Sequence, residues 1–458
     1  MTTPPGPKGL PILGSLQAFN RERLGFLLEM AREYGDVVHY RLLNYAVYQL
    51  NHPDYVQAVL VEQAGAVEKN DLDKAIFNQS LGHGILSSEG EFHRAQRRLM
   101  QPAFHSKRIE AYGQVMTDYT ERMLTRWAEG QTLDVHHAMT HLTMQIVSKT
   151  LYDADVGDEA DGIGAAIDVL NRIGGEEFQQ GYVLPQWIPT AKNRQIKRAV
   201  RQLDGLMMPI IEQRRSSGED KGDLLSMLLI SQDEDTGGRM TDRQVRDEAV
   251  TLFVAGHETT SNLLAWTWYL LAQHPTIEAQ LHAELDSVLK GRTPTMRDLG
   301  TLQFTDWVIK EALRLYPPAW ILNGRKPKQA IDVGGYTIPA GSLIFMSPYV
   351  LQRDPRYFDD AETFQPQRWA DGLEKRIPRY AYFPFGGGPR VCIGNQFALM
   401  EARLVLATIA QRYRLALSGS AVVEPDALIT LRPKNGIMMR VMAREKAEQP
   451  ASSEPVVA

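Results

Sequence analysis

Apolar residues recur at helical spacing along most of this chain. A segment with three or four apolar positions in every two turns presents one apolar face and folds as an amphipathic helix. Pro317 and Pro318 end one such segment, because proline cannot donate the backbone hydrogen bond that continues a helix. The pattern predicts helices near residues 24–34, 53–61, 89–101, 108–129, 135–152, 192–215, 241–273, 275–290, 304–316 and 395–413.

Alternating, β-prone residues occupy only short segments. VVHYRLL, from Val37, and YAVYQLN, from Tyr45, predict an early hairpin, and the runs on either side of Gly334 and Gly335 predict a second one. Short strands are also predicted between the last helix and about Met442. The expected fold class is therefore mainly α with a small β-rich region.

The two ends of the chain differ from the rest. Prolines and glycines predict an extended arm over residues 1–16, and the polar, proline-containing residues 443–458 predict a disordered tail. No internal repeat and no Gly/Ser linker divides residues 1–442, which we expect to form a single domain.

Composition narrows the possible functions. The 458 residues are 43% hydrophobic, enough for a large core, and the net charge of −5 argues against a nucleic-acid partner. The single cysteine excludes an intramolecular disulfide and a multi-cysteine zinc or iron–sulfur site. His257 and Glu258 begin the zinc motif HExxH, but Ser261 stands at its last position. With neither a long apolar run nor a signal peptide, the sequence predicts no transmembrane anchor and a cytoplasmic location.

The one cysteine, Cys392, lies in FGGGPRVCIG, a glycine-rich loop from Phe385 to Gly394 that leads into a predicted helix. The N-terminus of a helix favours the thiolate, and glycines let the backbone approach a bulky partner closely. A lone cysteine can also be a small buried hydrophobe. A nucleophilic cysteine would need a general base, and this loop contains none.

This loop resembles the haem-ligand signature FxxGxRxCxG of the cytochrome P-450 family of haem-thiolate monooxygenases. The matching positions are Phe385, Gly388, Arg390, Cys392 and Gly394. The resemblance implies the family's triangular fold as a single haem domain, with haem b bound through the Cys392 sulfur and contacted by Phe385, Arg390 and Gly394. A thiolate ligand donates electron density that favours cleavage of the O–O bond.

AGHETT, from Ala255 to Thr260, resembles the family's oxygen-activation motif and lies within the longest predicted helix. The resemblance implies that Ala255 and Gly256 lie beside the cofactor and that Glu258 and Thr259 are catalytic residues that deliver protons. The Thr259 hydroxyl can bond to the carbonyl of Ala255, which would loosen the helix for dioxygen and water. Ordinary buried threonines and a surface acid would give the same sequence.

Glu311 and Arg314 match the family's ExxR element, at a spacing that puts both side chains on one helix face. FQPQRW, which begins at Phe364, resembles the family's downstream arginine motif and adds Arg368. The resemblance implies a structural triad that holds the irregular segment ahead of the cysteine.

Four residues match the family's positions for binding the haem propionates. They are His93 and Arg97, adjacent on one helix face, with Arg325 and Arg390. Arginine suits this task because its planar guanidinium can bind a carboxylate through two hydrogen bonds. Each of these residues alone could be a surface charge, so the prediction depends on the set.

The implied activity inserts one oxygen atom from O2 into an unactivated C–H or C=C bond of a lipophilic small molecule. No fused flavin module follows the haem domain, so two electrons from NAD(P)H would arrive through a separate ferredoxin- or flavodoxin-type donor and its reductase. A haem-thiolate isomerase or peroxygenase, and a non-catalytic haem sensor or electron carrier, are the alternatives. Complementary charge speeds docking of a donor, and the candidate basic residues are Arg94, Arg98, Lys107, Arg108, Lys375, Arg376, Arg379 and Arg403.

The same resemblance implies that three apolar segments, near residues 71–88, 178–188 and 319–322, form the substrate pocket. We expect a lipophilic substrate such as a fatty acid, a terpenoid or a polyketide. Each wall residue could equally be ordinary core packing. The candidates are Phe77, Ile85, Phe178, Leu184, Trp187, Ala319, Trp320 and Ile321.

Overall fold

The computed structural model describes residues 3–157, 160–230, 239–419 and 422–444, without the side chains of residues 106–109. Within these ranges helices dominate, as the apolar pattern predicts. The α-helices are α1 (Leu16–Arg21), α2 (Arg23–Tyr34), α3 (Pro53–Gln57), α4 (Asp71–Ser80), α5 (Gly90–Met100), α6 (Ser106–Leu124), α7 (Val135–Tyr152), α8 (Ala160–Gln180), α9 (Ala191–Ser217), α10 (Leu224–Ile230), α11 (Asp242–Gln273), α12 (Pro275–Leu289), α13 (Gln303–Leu315), α14 (Pro348–Leu351), α15 (Leu373–Arg376) and α16 (Asn395–Ala410).

Strands are short and lie mostly toward the two ends of the chain. They are β1 (Val37–Leu42), β2 (Tyr45–Leu50), β3 (Val67–Lys69), β4 (Thr132–Asp134), β5 (Arg325–Pro327), β6 (Ile331–Val333), β7 (Tyr336–Ile338), β8 (Leu343–Met346), β9 (Tyr413–Leu417), β10 (Pro425–Ala427), β11 (Leu431–Pro433) and β12 (Met438–Ala443).

The predicted helices are confirmed, with two differences. Helix α16 ends at Ala410, not at Tyr413, because Tyr413 pairs with Ala443 and begins strand β9. The prediction also lacks the short helices α1, α4, α10, α14 and α15 and the long helix α8. Helix α8 contains several glycines, which lower its intrinsic helix propensity. Its buried residues, such as Ile163 and Ile167, show that tertiary packing stabilises it.

Both predicted hairpins are present. Strands β1 and β2 pair antiparallel and belong to a five-stranded sheet in the order β1-β2-β8-β5-β3. Strands β6 and β7 are joined by Gly334 and Gly335, with φ of 60° and 80°. A two-residue turn of this kind needs positive φ at both positions, which glycine adopts without steric cost. Two further sheets join β10 to β11 and β4 to β12 and β9.

The N-terminal arm lies along strand β1. The His39 N–H donates to the carbonyl of Pro5 at 2.9 Å, and the Ser15 N–H donates to the carbonyl of Arg41 at 2.7 Å. The arm turns at Leu10–Gly14 before α1 begins. From residue 445 onward, the segment predicted as a tail lies outside the residues that the structure describes.

Helix α11 runs through the centre of the core and packs along α7, α9, α13 and α16. Most of its residues are buried, including Trp266 and Trp268. Thr241 and Gln244 form a capping box at its first turn, which satisfies backbone groups that would otherwise lack partners. AGHETT therefore occupies the middle of a long, well-anchored helix. None of the helices in the described ranges is both long and apolar enough to cross a bilayer.

Candidate active site

The loop that carries Cys392 is tightly built. The Cys392 N–H donates to the carbonyl of Phe385 at 3.0 Å, which closes the loop. Gly386 and Gly388 have φ of 70° and 64°, in the left-handed region that favours glycine. A Cβ atom at Gly388 would also overlap the carbonyl oxygen of Leu60. Gly386 and Gly388 are therefore required by the backbone path that presents the sulfur.

The Cys392 residue is exposed, although protein atoms surround the sulfur on its other sides. This crowding desolvates the thiol and raises its pKa, while the Gly394 N–H and the Arg97 charge act in the opposite direction. The sequence predicted that the start of a helix would favour the thiolate. Here desolvation outweighs that effect, and α16 begins only at Asn395. A metal bound to the sulfur would favour the thiolate instead.

The four predicted propionate residues are close enough to influence one another. Burial and then the positive charges of Arg390, Lys69, Arg97 and Arg325 lower the pKa of His93 to about 3. The His93 imidazole is therefore neutral at pH 7. Arg97 also donates to the carbonyl of Val391 at 2.8 Å, which ties helix α5 to the cysteine loop.

Lys69 is a fifth member of this group, beside the neutral His93 and the three arginines, and no sequence pattern indicated it. Strands β3 and β5 pair so that Lys69 stands opposite Arg325, and burial, with help from Arg390 and Arg325, lowers the pKa of Lys69 to about 7. The nearby carboxylates are Glu89, paired with Arg390, and Asp73. A site with this surplus of donors and positive charge is suited to a ligand that carries carboxylates.

The helical segment AGHETT shows the side-chain bond to the backbone that threonine can make at this position. The Thr259 hydroxyl donates to the carbonyl of Ala255 at 2.9 Å. Ala255, Gly256 and Thr259 are only partly buried, whereas His257 and Thr260 are buried. One stripe of α11 therefore faces accessible space, and it is the stripe that carries the candidate oxygen-binding residues.

Glu258 is buried, so its alternative interpretation as a surface acid is wrong. Its carboxylate accepts a 2.5 Å hydrogen bond from the hydroxyl of Thr430, which in turn accepts a bond from Asn262. Burial raises the pKa of Glu258, and hydrogen bonds from Asn171 and Thr430 act against that shift. A carboxyl with a raised pKa can hold a proton nearer neutral pH and donate it.

The structure brings Glu311, Arg314 and Arg368 into direct contact. Glu311 and Arg314 have no exposed side-chain surface and are joined by two hydrogen bonds, of 2.9 and 2.7 Å. Arg368 donates to the same carboxylate at 2.8 Å, and so does the indole of Trp369 at 2.9 Å. Arg314 further binds the carbonyl of Gln352, at 2.9 Å. Trp369 lies within the FQPQRW motif, but its contact with Glu311 was not foreseen.

The candidate substrate residues are only partly brought together. Phe77, Phe178, Trp320 and Ile321 line one apolar cavity between α4, α8 and the segment after α13. Trp320 is wholly buried, and its indole N–H donates to the carbonyl of Leu428 at 3.0 Å. The side of Trp320 that faces the cavity is therefore held fixed.

The other four candidates are not on that cavity's lining. Trp187 is 80% exposed, so its assignment to the pocket wall is wrong in this structure: its ring points to solvent. Ile85 is buried, whereas Leu184 and Ala319 are partly buried. Apolar character alone does not distinguish residues that line the cavity from residues that do not. The spacing of residues along a loop does not indicate the direction in which each side chain points.

Known proteins match this chain over nearly its whole length. The cytochrome P450 family profile covers residues 4–440. Cyclooctat-9-en-7-ol 5-monooxygenase from Streptomyces melanosporofaciens is 40% identical over 418 residues, 90% of each chain. Cyclooctatin synthase from the same organism is 38% identical over 93% of this chain and 92% of its own. Pentalenene oxygenase from Streptomyces avermitilis is 35% identical over 96% of this chain and 97% of its own. This chain therefore belongs to the cytochrome P450 family of haem-thiolate monooxygenases.

Proposed function

We propose that the sulfur of Cys392 would bind the iron of a haem b group and that Lys69, His93, Arg97, Arg325 and Arg390 would bind its propionates. The observation that carries this proposal is the position of the sulfur, on a glycine-built loop tied by Arg97 to the group of buried cations. A neutral His93 can donate one hydrogen bond, and the arginines supply several each. Two carboxylates would compensate the mutual repulsion of these cations.

Bound haem supplies the capacity to activate dioxygen and to oxidise an unactivated carbon. The chain's own residues control protons and water. Thr259, held by the carbonyl of Ala255, presents its hydroxyl oxygen on the accessible stripe of α11. Glu258, whose pKa is raised by burial, is the neighbouring acid that would supply protons through water to that hydroxyl, and it would have to turn from its bond with Thr430 to do so. Ala255 and Gly256 leave room for a small molecule beside the helix.

We further propose that the substrate is a cyclic terpene or terpene alcohol. The relatives are named for their action on cyclooctat-9-en-7-ol and pentalenene. The cavity lined by Phe77, Phe178 and Ile321 is mostly apolar, with Asp73 and Asn323 as its polar members, and this lining suits such a substrate. Among the substrate classes predicted from the sequence, the relatives favour the terpenoid over a fatty acid or a polyketide.

We propose a separate ferredoxin or flavodoxin as the electron donor, which would dock on the exposed Lys375, Arg376 and Arg379. These residues directly precede the cysteine loop, and the Arg379 guanidinium lies over the ring of Tyr380, 5.8 Å from its centre. Tyr380 in turn packs on Gly387 of that loop.

Among the other basic candidates, Arg94 and Arg403 support docking less well, because both are paired with carboxylates. Arg403 is mostly buried and pairs with Asp306 at 3.3 Å, and Arg94 pairs with Glu91. The side chains of Lys107 and Arg108 lie outside the described residues. We therefore centre the proposed docking surface on Lys375, Arg376 and Arg379.

The alternative functions, an isomerase or peroxygenase and a haem sensor or electron carrier, would use the same haem differently. An isomerase or a peroxygenase needs no proton delivery to dioxygen, and a sensor or electron carrier needs no substrate. The buried Glu258 beside the helix-bonded Thr259 favours reductive activation of dioxygen over both.

Two spectra test this assignment. The ferrous, carbon-monoxide-treated protein should show the strongly red-shifted absorption of a sulfur-ligated haem, and Cys392→Ser should lose that shift. Cyclooctat-9-en-7-ol and pentalenene are then titrated, with a long-chain fatty acid for comparison. We expect the terpenes to displace the iron's water ligand and shift the Soret band. A normal-wavelength carbonyl complex in the wild type would contradict the ligand, and a shift with the fatty acid alone would contradict the substrate class.

A further inference from the structure

Three consecutive residues of helix α11 hold the backbone of residues 81–86, the segment between α4 and α5. We refer to these six residues as the 81–86 segment. The three bonds run from Arg246 to the carbonyl of Leu81 at 3.0 Å, from the His83 N–H to Asp247 at 2.8 Å, and from the Ile85 N–H to Glu248 at 2.9 Å. Backbone groups bound in this way cannot move without leaving buried polar atoms unpaired.

Lys69 holds the same segment from the opposite side. Its ammonium donates to the carbonyl of Ile85 at 3.0 Å and to that of Leu86 at 2.5 Å. Ile85 is therefore bound at its N–H by Glu248 and at its carbonyl by Lys69. Glu248 has no exposed surface and Lys69 is 5% exposed, so water cannot readily replace either partner.

Two glycines allow the backbone of the 81–86 segment to approach α11 closely. Gly82 has φ of 87°, and a Cβ atom there would overlap the carboxylate of Asp247. A Cβ atom at Gly84 would lie 2.5 Å from the hydroxyl of Thr251 and 3.0 Å from the carbonyl of Asp247. Both contacts are closer than ordinary packing, so the segment approaches the helix as only glycine permits.

The segment binds the face of α11 that carries the oxygen-activation residues. Glu248 precedes Ala255 by seven residues and Thr259 by eleven. These spacings are close to two and three full turns, so all three side chains project from one stripe of the helix. At 1.5 Å per residue, Glu248 lies about 10 Å along the axis from Ala255, which is within the reach of one small-molecule substrate.

We propose that Glu248 is a positioning residue that fixes Ile85 as part of the wall of the substrate site and thereby selects the ligands that fit beside Ala255. This inference rests on the proposed function, because it assumes that substrate binds along that stripe of α11, beyond the cavity of Phe77, Phe178 and Ile321 that Ile85 does not line. Gly84 lies against Thr251, one helical turn before Ala255, which puts the 81–86 segment beside this stripe. Glu248 itself touches neither substrate nor haem. It acts through the Ile85 N–H, and its loss would free that N–H and let the wall shift.

The test compares Glu248→Leu, which removes the acceptor, with Glu248→Gln, which keeps an amide oxygen in its place. Glu278→Gln is the matched control, since Glu278 is also a buried glutamate with a raised pKa, but it lies on α12 and pairs with Arg414. Hydrogen–deuterium exchange follows the Ile85 amide. Absorption titrations with imidazole and with the bulkier 4-phenylimidazole measure how much room remains beside the haem iron.

We expect Glu248→Leu to exchange the Ile85 amide at least about fivefold faster, because one buried hydrogen bond contributes about 1 kcal/mol. The ratio of the two azole dissociation constants should change at least about threefold in the same variant. Glu248→Gln and Glu278→Gln should keep both quantities within about twofold of the wild type. If Glu248→Leu does not fold, Glu248→Asp replaces it, because its shorter side chain cannot reach the Ile85 N–H.

Unchanged exchange in the acceptor-free variant would show that Glu248 does not hold the segment. Faster exchange with an unchanged azole ratio would show that the segment is not part of the wall. Either result overturns the inference. Failure of the proposed function is recognised separately, because the wild type would then lack the sulfur-ligated haem spectrum, whereas the exchange measurement does not require it.

Discussion

The hydroxyl of Thr259 is bonded within its own helix and also faces accessible space. It donates to the carbonyl of Ala255, and it lies on the stripe of α11 where we propose that protons are delivered. Because a threonine bonded in this way weakens the helix ladder locally, the same contact can open space and orient the hydroxyl oxygen. Glu258, one residue away, is turned instead toward Thr430.

Replacing Thr259 with alanine should uncouple electron consumption from product formation. We expect haem binding to persist, while product formed per electron pair falls by about tenfold or more, the low end of what a positioned proton donor contributes. The electrons should appear as hydrogen peroxide. Thr259→Ser, which keeps the hydroxyl, is the control and should stay near the wild-type ratio. An alanine variant with unchanged coupling of electrons to product would remove Thr259 from the proton path.

Glu248 should make stability depend on pH. Burial, with a contribution from Asp247, raises its pKa to about 8 from an ordinary value of 4.5. Between these values the folded protein binds the proton more tightly than the unfolded chain, so stability falls as pH rises to about 8 and then levels off. Glu248→Gln has no proton to lose. The difference in Tm between wild type and this variant should therefore decline from about pH 5 to about pH 8, and a constant difference would contradict the assignment.

At the scale of elements, the triad joins helix α13 to the irregular chain ahead of the cysteine. Glu311 accepts bonds from Arg314, Arg368 and Trp369, so one carboxylate connects α13 with the segment after residue 363. Water cannot replace a lost partner in this network, because the Glu311 and Arg314 side chains have no exposed surface. It stabilises the fold of the segment that positions Cys392.

Glu311→Ala should be severely destabilising. It leaves the Arg314 guanidinium buried without its carboxylate, which costs about 3 to 5 kcal/mol. Chemical unfolding and haem content measure the loss. Lys310→Met on the same helix is the control: Lys310 pairs with Asp306 and Glu374 at a partly exposed site, and its removal should cost less than about 1 kcal/mol. Equal costs for the two variants would contradict the structural role of the triad.

On the scale of the whole molecule, charge is unevenly distributed. The chain has a net charge of −5, yet Lys375, Arg376 and Arg379 lie exposed within five residues of one another, just before the cysteine loop. A local positive patch on a negative protein orients an acidic partner as it approaches, and this raises the association rate more than the final affinity.

Reversing this patch should slow reduction by an acidic ferredoxin. In the variant with glutamate at 375, 376 and 379, we expect the rate at low salt to fall by about tenfold or more, and the deficit to shrink as salt screens the charges. The matched control reverses Arg194, Lys197 and Arg198, three exposed cations on α9. Stopped-flow reduction with a purified ferredoxin and its reductase measures the rates. Equal slowing in both variants would indicate net charge alone, not a docking surface.

Features that depend on residues near one another in sequence were predictable. The amphipathic pattern located α11, the glycines of FGGGPRVCIG indicated a tight loop, and the spacing of Glu311 and Arg314 put them on one face. Local backbone geometry relates each pattern to its structure directly. Helix α8 was missed because its stability comes from packing against other helices, which glycine-rich local sequence does not report.

The order of the amino acids specifies which chemical groups are available: one sulfur on a glycine loop, an acid and a threonine on a long helix, and a set of arginines. The folded arrangement sets how these groups behave. Strand pairing set Lys69 against Arg325, Glu258 turned toward Thr430, and desolvation raised the pKa of the Cys392 thiol. The reason is physical: burial and Coulombic interaction depend on distances between groups far apart in the chain, and only the folded protein sets those distances.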